Sequence, residues 1–157
     1  MRILIVAAAV LASACVSVNA NITESDEALT AIQSARMREC PAERTRDNAR
    51  ADTELQSVGV TGVDIGFVPL ASDPTRSVRL RRLTIAPGGV IGWHDHSAVQ
   101  GMALVVSGEM VEFRNTCLDP MTYRAGDVAR EDATTAYGWR NETDEDAVVL
   151  TAHVVVR

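Results

Sequence analysis

From residue 53 onward the chain is a succession of short apolar–polar runs cut by Gly, Pro and Asp. "ELQSVGV" and "VDIGFVPL" lead to a turn at "ASDPTR", and "SVRLRRLTI" follows. In that run Val78 and Leu80 fall on one face and Arg79 and Arg81 on the other. Leu83 and Ile85 then fall on the arginine face, which predicts a bulge near Arg81 and Arg82. "APGG" reads as a turn before "VIGWHDH", and "GMALVV" as a buried strand stopped by "SGE". "MVEFRNT" and "MTYR" flank "CLDP", "AGD" turns the chain into "VARE", and "AYGWRN" precedes "AVVLTAHVVV". Strands at roughly 8 to 12 residue spacing, with no βαβ helix and no repeat, predict an all-β sandwich or barrel over residues 53–157.

The pattern is different before residue 53. Residues 1–20 carry Arg2 and then the uncharged run "ILIVAAAVLASACVSVNA", the form of a secretory signal peptide with cleavage after Ala20. "ASAC" offers a second reading, a lipobox that anchors the chain through Cys15, and a retained anchor is the third. Each implies export, to the periplasm or the medium. Residues 21–52 form an N-terminal arm. "ESDEALTAIQSARMREC" has apolar residues at helical spacing, with Ser25 or Asp26 as N-cap, and reads as a short amphipathic helix ending before Pro41. "PAERTRDNARAD" reads as a solvated linker or an exposed helix.

Charge narrows the function classes. The chain has 15 basic and 21 acidic residues, a net charge of −6, and every basic residue is arginine. An acidic chain without a basic cluster is a poor match for nucleic acid or an anionic membrane. Without lysine, Schiff-base and P-loop chemistry are excluded. Cys40 and Cys117 remain beyond the leader, a pair that in an exported chain reads as a disulfide, with two buried thiols as the alternative.

The candidate chemistry lies in "GWHDHSAVQG". If the strand is regular, His94, His96 and Gln100 share a face, and two imidazoles with a side-chain oxygen suit Fe, Mn, Zn, Cu or Ni. Of the other candidates, His153 reads as a hydrogen-bonded core or edge residue and Trp139 as pocket lining or core. Trp93 packs outside the site, and Met102, Met110 and Met121 read as core. Glu109 and Glu112 read as solvated, as does the acidic turn from Glu142 to Asp146.

"PGGVIGWHDHSAVQGMALVVSGEM" resembles the first motif of the cupin superfamily, G-x5-H-x-H-x3/4-E-x6-G. Gly88, His94, His96 and Gly108 match it, and the glutamate position holds Gln100 or, on the longer spacing, Gly101. The second motif, G-x5-P-x-G-x2-H-x3-N, is matched by Gly126 and Asn141, with Asp132, Thr134 and Tyr137 at its proline, glycine and histidine positions. The resemblance covers residues 53–156. It implies a double-stranded β-helix, a jelly-roll barrel enclosing a site of His94, His96, Gln100 and Tyr137. With two of four ligands replaced, that set fits a divalent transition metal or a site that has lost one.

Three functions follow from this resemblance. The first is a metal-dependent enzyme of dioxygenase, isomerase or lyase type acting on a small molecule. There His94 and His96 hold the metal, Gln100 binds it or orients water, and Tyr137 is fourth ligand or proton donor. The second is a non-catalytic barrel that binds a small ligand. The third is a structural protein whose barrel edges pair as a homodimer.

Overall fold

The computed structural model describes residues 23–51 and 54–156; the expected leader, with Cys15, lies outside the described residues. Helix α1 spans Thr23–Gln33, and a 3-10 turn spans Ala42–Arg44. The strands are β1 (Arg36–Met37), β2 (Val58–Leu70), β3 (Asp73–Asp95), β4 (Gln100–Ser107), β5 (Glu109–Arg114), β6 (Met121–Arg124), β7 (Asp127–Glu131), β8 (Ala136–Arg140) and β9 (Ala147–Val156). The expected all-β double-stranded β-helix is the observed fold. No helix among the described residues is long and apolar enough to cross a membrane.

The strand order is β1-β7-β4-β9-β3-β8-β5-β6, with β2 paired to β3. β3 joins the two halves of this curled sheet. Its first part, Arg76 to Ile85, pairs with β9, and its second part, Val90 to Asp95, pairs with β8. Between them lies "APGG", which is a corner inside one strand and not the turn between strands that its composition suggests. Gly88 has φ +70°, and a Cβ on Gly89 would lie 2.7 Å from Ile85 Cγ2 and 2.8 Å from the Ala86 carbonyl oxygen. Both glycines therefore allow the bend.

The alternation of β3 runs unbroken through Arg79, Arg81, Leu83 and Ile85, since its register with β9 has no shift from Arg76 to Ile85. The expected bulge is on the partner strand: Asp64 opposes Arg81 and Gly66 opposes Leu80, leaving Ile65 as the extra residue. The arginine face is thus the interior face, and Val78 and Leu80 are exposed. Ile85, Val105, Met110, Tyr123, Trp139 and Val149 fill the core. Met102, expected inside, is half exposed because it alternates with the inward Gly101 and Ala103.

Glu112 also departs from expectation and is fully buried. A buried carboxylate needs partners, and it accepts two hydrogen bonds from Arg114 (2.7 and 3.0 Å), one from Tyr123 (3.0 Å) and one from the Trp139 indole (3.2 Å). Asn141 is buried as well. Its amide donates to the carbonyls of Ile85, Ala86 and Glu145, which fixes the acidic turn against the corner of β3.

The N-terminal arm is mostly exposed in side chain, apart from the buried Ala31 and the half-buried Cys40, and is tied by backbone bonds and ion pairs. β1 pairs in parallel with β7, and Arg36 reaches Asp127 at 2.9 Å. The Arg46 amide donates to Thr116, and the Leu118 amide to Arg44. Cys40 and Cys117 form the expected disulfide across 77 residues of chain. Closing a loop of that length contributes about 4 kcal/mol in the chain-entropy description. The double substitution Cys40→Ser/Cys117→Ser should therefore lower unfolding free energy by about 2–5 kcal/mol in urea titrations; an unchanged midpoint would show that the arm is held by its hydrogen bonds alone.

Candidate metal and ligand site

The site is built on one row of residues across the sheet. Glu131 on β7 opposes Gly101 on β4, Gly101 opposes His153 on β9, and His153 opposes Arg79 on β3. Because side chains in a row share a face, Glu131, His153 and Arg79 all point into the barrel. Gly101 contributes nothing between them but space. A Cβ there would lie 2.6 Å from the His153 ring and 2.0 Å from the Ala152 carbonyl oxygen. Glu131 reaches across that gap, and one carboxylate oxygen lies 2.5 Å from His153 Nε2. The other accepts the Tyr137 hydroxyl hydrogen bond.

Proton positions follow from these partners. His153 Nδ1 faces Arg79 Nη2 at 3.4 Å. Arginine only donates, so Nδ1 accepts and Nε2 carries the hydrogen given to Glu131. His94 and His96 are the reverse. His94 Nδ1 donates to the Gly92 carbonyl (2.8 Å) and His96 Nδ1 to the Val99 carbonyl (2.7 Å). Each then has its lone pair on Nε2, the arrangement in which a backbone carbonyl presets a metal-binding imidazole. His96 Nε2 is buried and has no hydrogen-bond partner.

The rings converge. His94 lies 4.8 Å from His96 and 4.9 Å from Tyr137 between centroids, and His96 lies 5.0 Å from Tyr137 and 5.6 Å from His153. His94 and Tyr137 are directly paired across β3 and β8. Gln100 stands apart from them: it is exposed, and its amide donates to the Ser97 carbonyl at 3.3 Å. Ligand atoms of His96, Glu131 and His153 all lie within 4.8 Å of one another. Glu131 gave no sign in the sequence, because "VARE" has no motif attached, and His153 read as core. Both become visible only through the row.

Electrostatics set the protonation states. Burial raises the Glu131 carboxyl, but hydrogen bonds from His153 and Tyr137 and the electrostatic attraction of the neighbouring histidine rings outweigh it and hold the group below the usual carboxylate value. Burial and the adjacent Glu131 push the Tyr137 phenol well above its ordinary value, so it stays protonated and donates. Burial lowers His96 more than Glu131 raises it, which favours the neutral ring. The residues thus fit a divalent metal: an unpartnered buried nitrogen, a carboxylate and a second imidazole on one point.

Beside this group is a cavity of about 160 Å³. Arg79, Arg81, His94, Tyr137, Thr151 and His153 supply its polar lining, with Arg79 beside His153 and Arg81 beside Thr151 on the sheet. Trp139, expected as pocket lining or core, is both: it borders the cavity and is fully buried.

One curled nine-stranded sheet, a strand that joins its two halves and an interior polar site define a double-stranded β-helix. Residues 81–153 match the family model described as Cupin domain. Those residues form a cupin domain. Among solved structures it is similar to KdgF from Halomonas sp., at 15% identity and TM-score 0.53, over 74% of this chain and 96% of that one. It is also similar to the cupin domain of Cnp3 from Schizosaccharomyces pombe, at 8% identity and TM-score 0.50, over 67% of each. At these identities the likeness is one of fold. No curated protein matches the sequence.

Two predictions follow from the row and its charges. Gly101→Ala should destabilise the protein by about 1–3 kcal/mol, because the new methyl meets backbone, and it should part Glu131 from His153; unaltered stability with unchanged His153 chemical shifts would refute the role given to Gly101. For pH, both groups act in the same direction. His96 has a folded pKa below its ordinary 6.5, so the unfolded chain takes up the proton first and stability falls as pH drops through that value. Glu131 has a folded pKa below its ordinary 4.5, so its contribution is present above that value and is lost as pH falls through the folded one. Melting temperature in EDTA should decline from about pH 6.5 downward and more steeply below about pH 4.5, whereas a flat profile from pH 7 to 5 would contradict the assignment for His96.

Proposed function

We propose that this chain is an exported single-domain cupin that binds a divalent transition metal in its barrel and acts on a small molecule in the adjoining cavity. The buried, unpartnered Nε2 of His96 carries the reading. An orphaned nitrogen costs about 1–3 kcal/mol, and a metal shared with Glu131 and His153 removes that cost. The Cys40–Cys117 bridge and the form of residues 1–20 support export.

In this reading His96, Glu131 and His153 hold the ion, and His94, with its free Nε2 at the cavity wall, is placed to join them. When bound, the metal supplies Lewis acidity toward an oxygen of the substrate. Tyr137 keeps its proton and gives it in a hydrogen bond to Glu131; turned to a substrate oxygen, the same hydroxyl would donate there, and any proton it transferred would be replaced from solvent. Glu131 takes the place that the resemblance gave to Gln100, and Tyr137 serves as proton donor in place of fourth ligand. Trp139, Leu83, Ile91 and Val149 exclude water from one side of the cavity.

The alternative, a ligand-binding barrel without catalysis, draws on one observation. Both Glu131 oxygens are already engaged, by Tyr137 and His153. Binding at His153 Nε2 must displace the proton now given to Glu131. Calorimetric titration of EDTA-stripped protein with zinc, manganese and iron(II) separates the readings. The metal reading expects one ion per chain with proton release, and a loss of affinity of about tenfold or more in His96→Ala and Glu131→Gln. No uptake, or uptake equal in His96→Ala, would leave the ligand-binding barrel.

A further inference from the structure

We propose that the cavity takes a small organic acid whose carboxylate is held by Arg79 and Arg81. The inference rests on the reading of this cavity as the ligand site, and it adds the chemical class of the ligand.

The two arginines occupy positions that a barrel interior ordinarily gives to apolar residues. They alternate with Val78 and Leu80, both exposed, so the strand places its charges inward and its aliphatic residues outward. Packing does not require this. Two like charges two residues apart on one strand face repel, and partial burial, with the side chains 21% and 35% exposed, raises the cost. Their nearest carboxylate is Asp64 on β2, at 3.9 Å from Arg79 Nε and 3.5 Å from Arg81 Nε. Neither contact is a hydrogen bond: both Nε atoms are enclosed and without a partner. Asp64 also stands at the rim, with 39% of its side chain exposed. Glu131 is the other anion of the cavity region, and Tyr137 and His153 already engage it.

The unsatisfied atoms converge. Of the six buried side-chain nitrogens and oxygens without a partner among the described residues, three belong to Arg79, Arg81 and Thr151, which line this cavity, and a fourth is Nε2 of His96, whose ring lies 5.6 Å from that of His153. Thr151 is the direct cross-strand neighbour of Arg81, and His153 that of Arg79. Gly62 keeps the Arg81 guanidinium low over β2, since a Cβ there would lie 2.5 Å from its Nη2. The result is a small polar wall of fixed donors that lacks one acceptor. A planar guanidinium matches a carboxylate through two parallel hydrogen bonds. The cavity volume equals about five waters, which suits an acid of a few carbons. An acid held there would present its far end to His94, Tyr137 and His153.

The test uses the full protein, stripped with EDTA, and four probes in calorimetry: lactate and malonate, their neutral counterparts lactamide and malonamide. Inorganic phosphate serves as a fifth. The acids should bind about tenfold or more tightly than the amides, and Arg81→Gln and Arg79→Gln should each weaken the acids about tenfold while leaving the amides unchanged. Arg81→Lys, which keeps the charge and loses the fork, should fall between. Amides equal to acids, acids unaffected by both glutamine variants, or phosphate bound more tightly than either acid would overturn the proposal. Zinc uptake by Arg81→Gln, measured in parallel, keeps the two readings apart. Wild-type protein that takes no zinc but prefers acids through Arg79 and Arg81 would uphold this inference and end the metal reading.

Discussion

The cross-strand row Glu131, Gly101, His153, Arg79 is the constraint on which the site depends. Side-chain alternation has a period of two, so a shift of one residue in β4, β7 or β9 would turn these groups to the outside. The row holds because each strand is also committed by its apolar positions: Ala103 and Val105 on β4, Ala129 on β7, Ala147 and Val149 on β9 are all buried. Packing of the core thereby sets the register, and the register delivers the polar groups to one point. The glycine is as necessary as the charges, since any side chain in the second position would separate the carboxylate from the imidazole.

Two buried carboxylates show how differently the same group can be used. Glu112 is saturated by Arg114, Tyr123 and Trp139, so nothing is left for a ligand, and its network braces the core. Glu131 has one bond from a phenol and one from an imidazole, and it lies near a nitrogen with no partner at all. A buried pair of full opposite charge is costly to break and serves rigidity. A carboxylate held by neutral donors can exchange partners with a metal or a substrate. Arg114 links the two regions, with its guanidinium 5.9 Å from the centre of the Tyr137 ring.

Strand β3 connects this chemistry to the architecture. Its first part carries Arg79 and Arg81 beside β9, and its second part carries His94 opposite Tyr137 on β8. The corner at Gly88 and Gly89 folds the two parts toward each other, so groups fifteen residues apart face one cavity. Asn141 fastens the corner from the β8–β9 turn through its bonds to Ile85 and Ala86.

Much was legible without coordinates: strands read from period-two alternation, the presence of an N-terminal helix (though it ends at Gln33 and Arg36–Met37 form β1 instead of its last turn), the Cys40–Cys117 pair and the approach of Tyr137 to His94 and His96. Those features depend on local pattern or on a motif of fixed spacing. Glu131 and His153 were not legible as a site, nor was the inward orientation of Arg79 and Arg81. Alternation tells which residues share a face but not which face is the interior, and Val78 and Leu80 argued for the wrong one. The buried Glu112 was missed for the same reason, because a charge flanked by apolar residues reads as solvent-facing until its partners arrive from β6 and β8. The sequence by itself determined the strand pattern and the chemical inventory. The tertiary structure alone decided which of those groups meet, because strands far apart in sequence come into register only when the whole sheet closes.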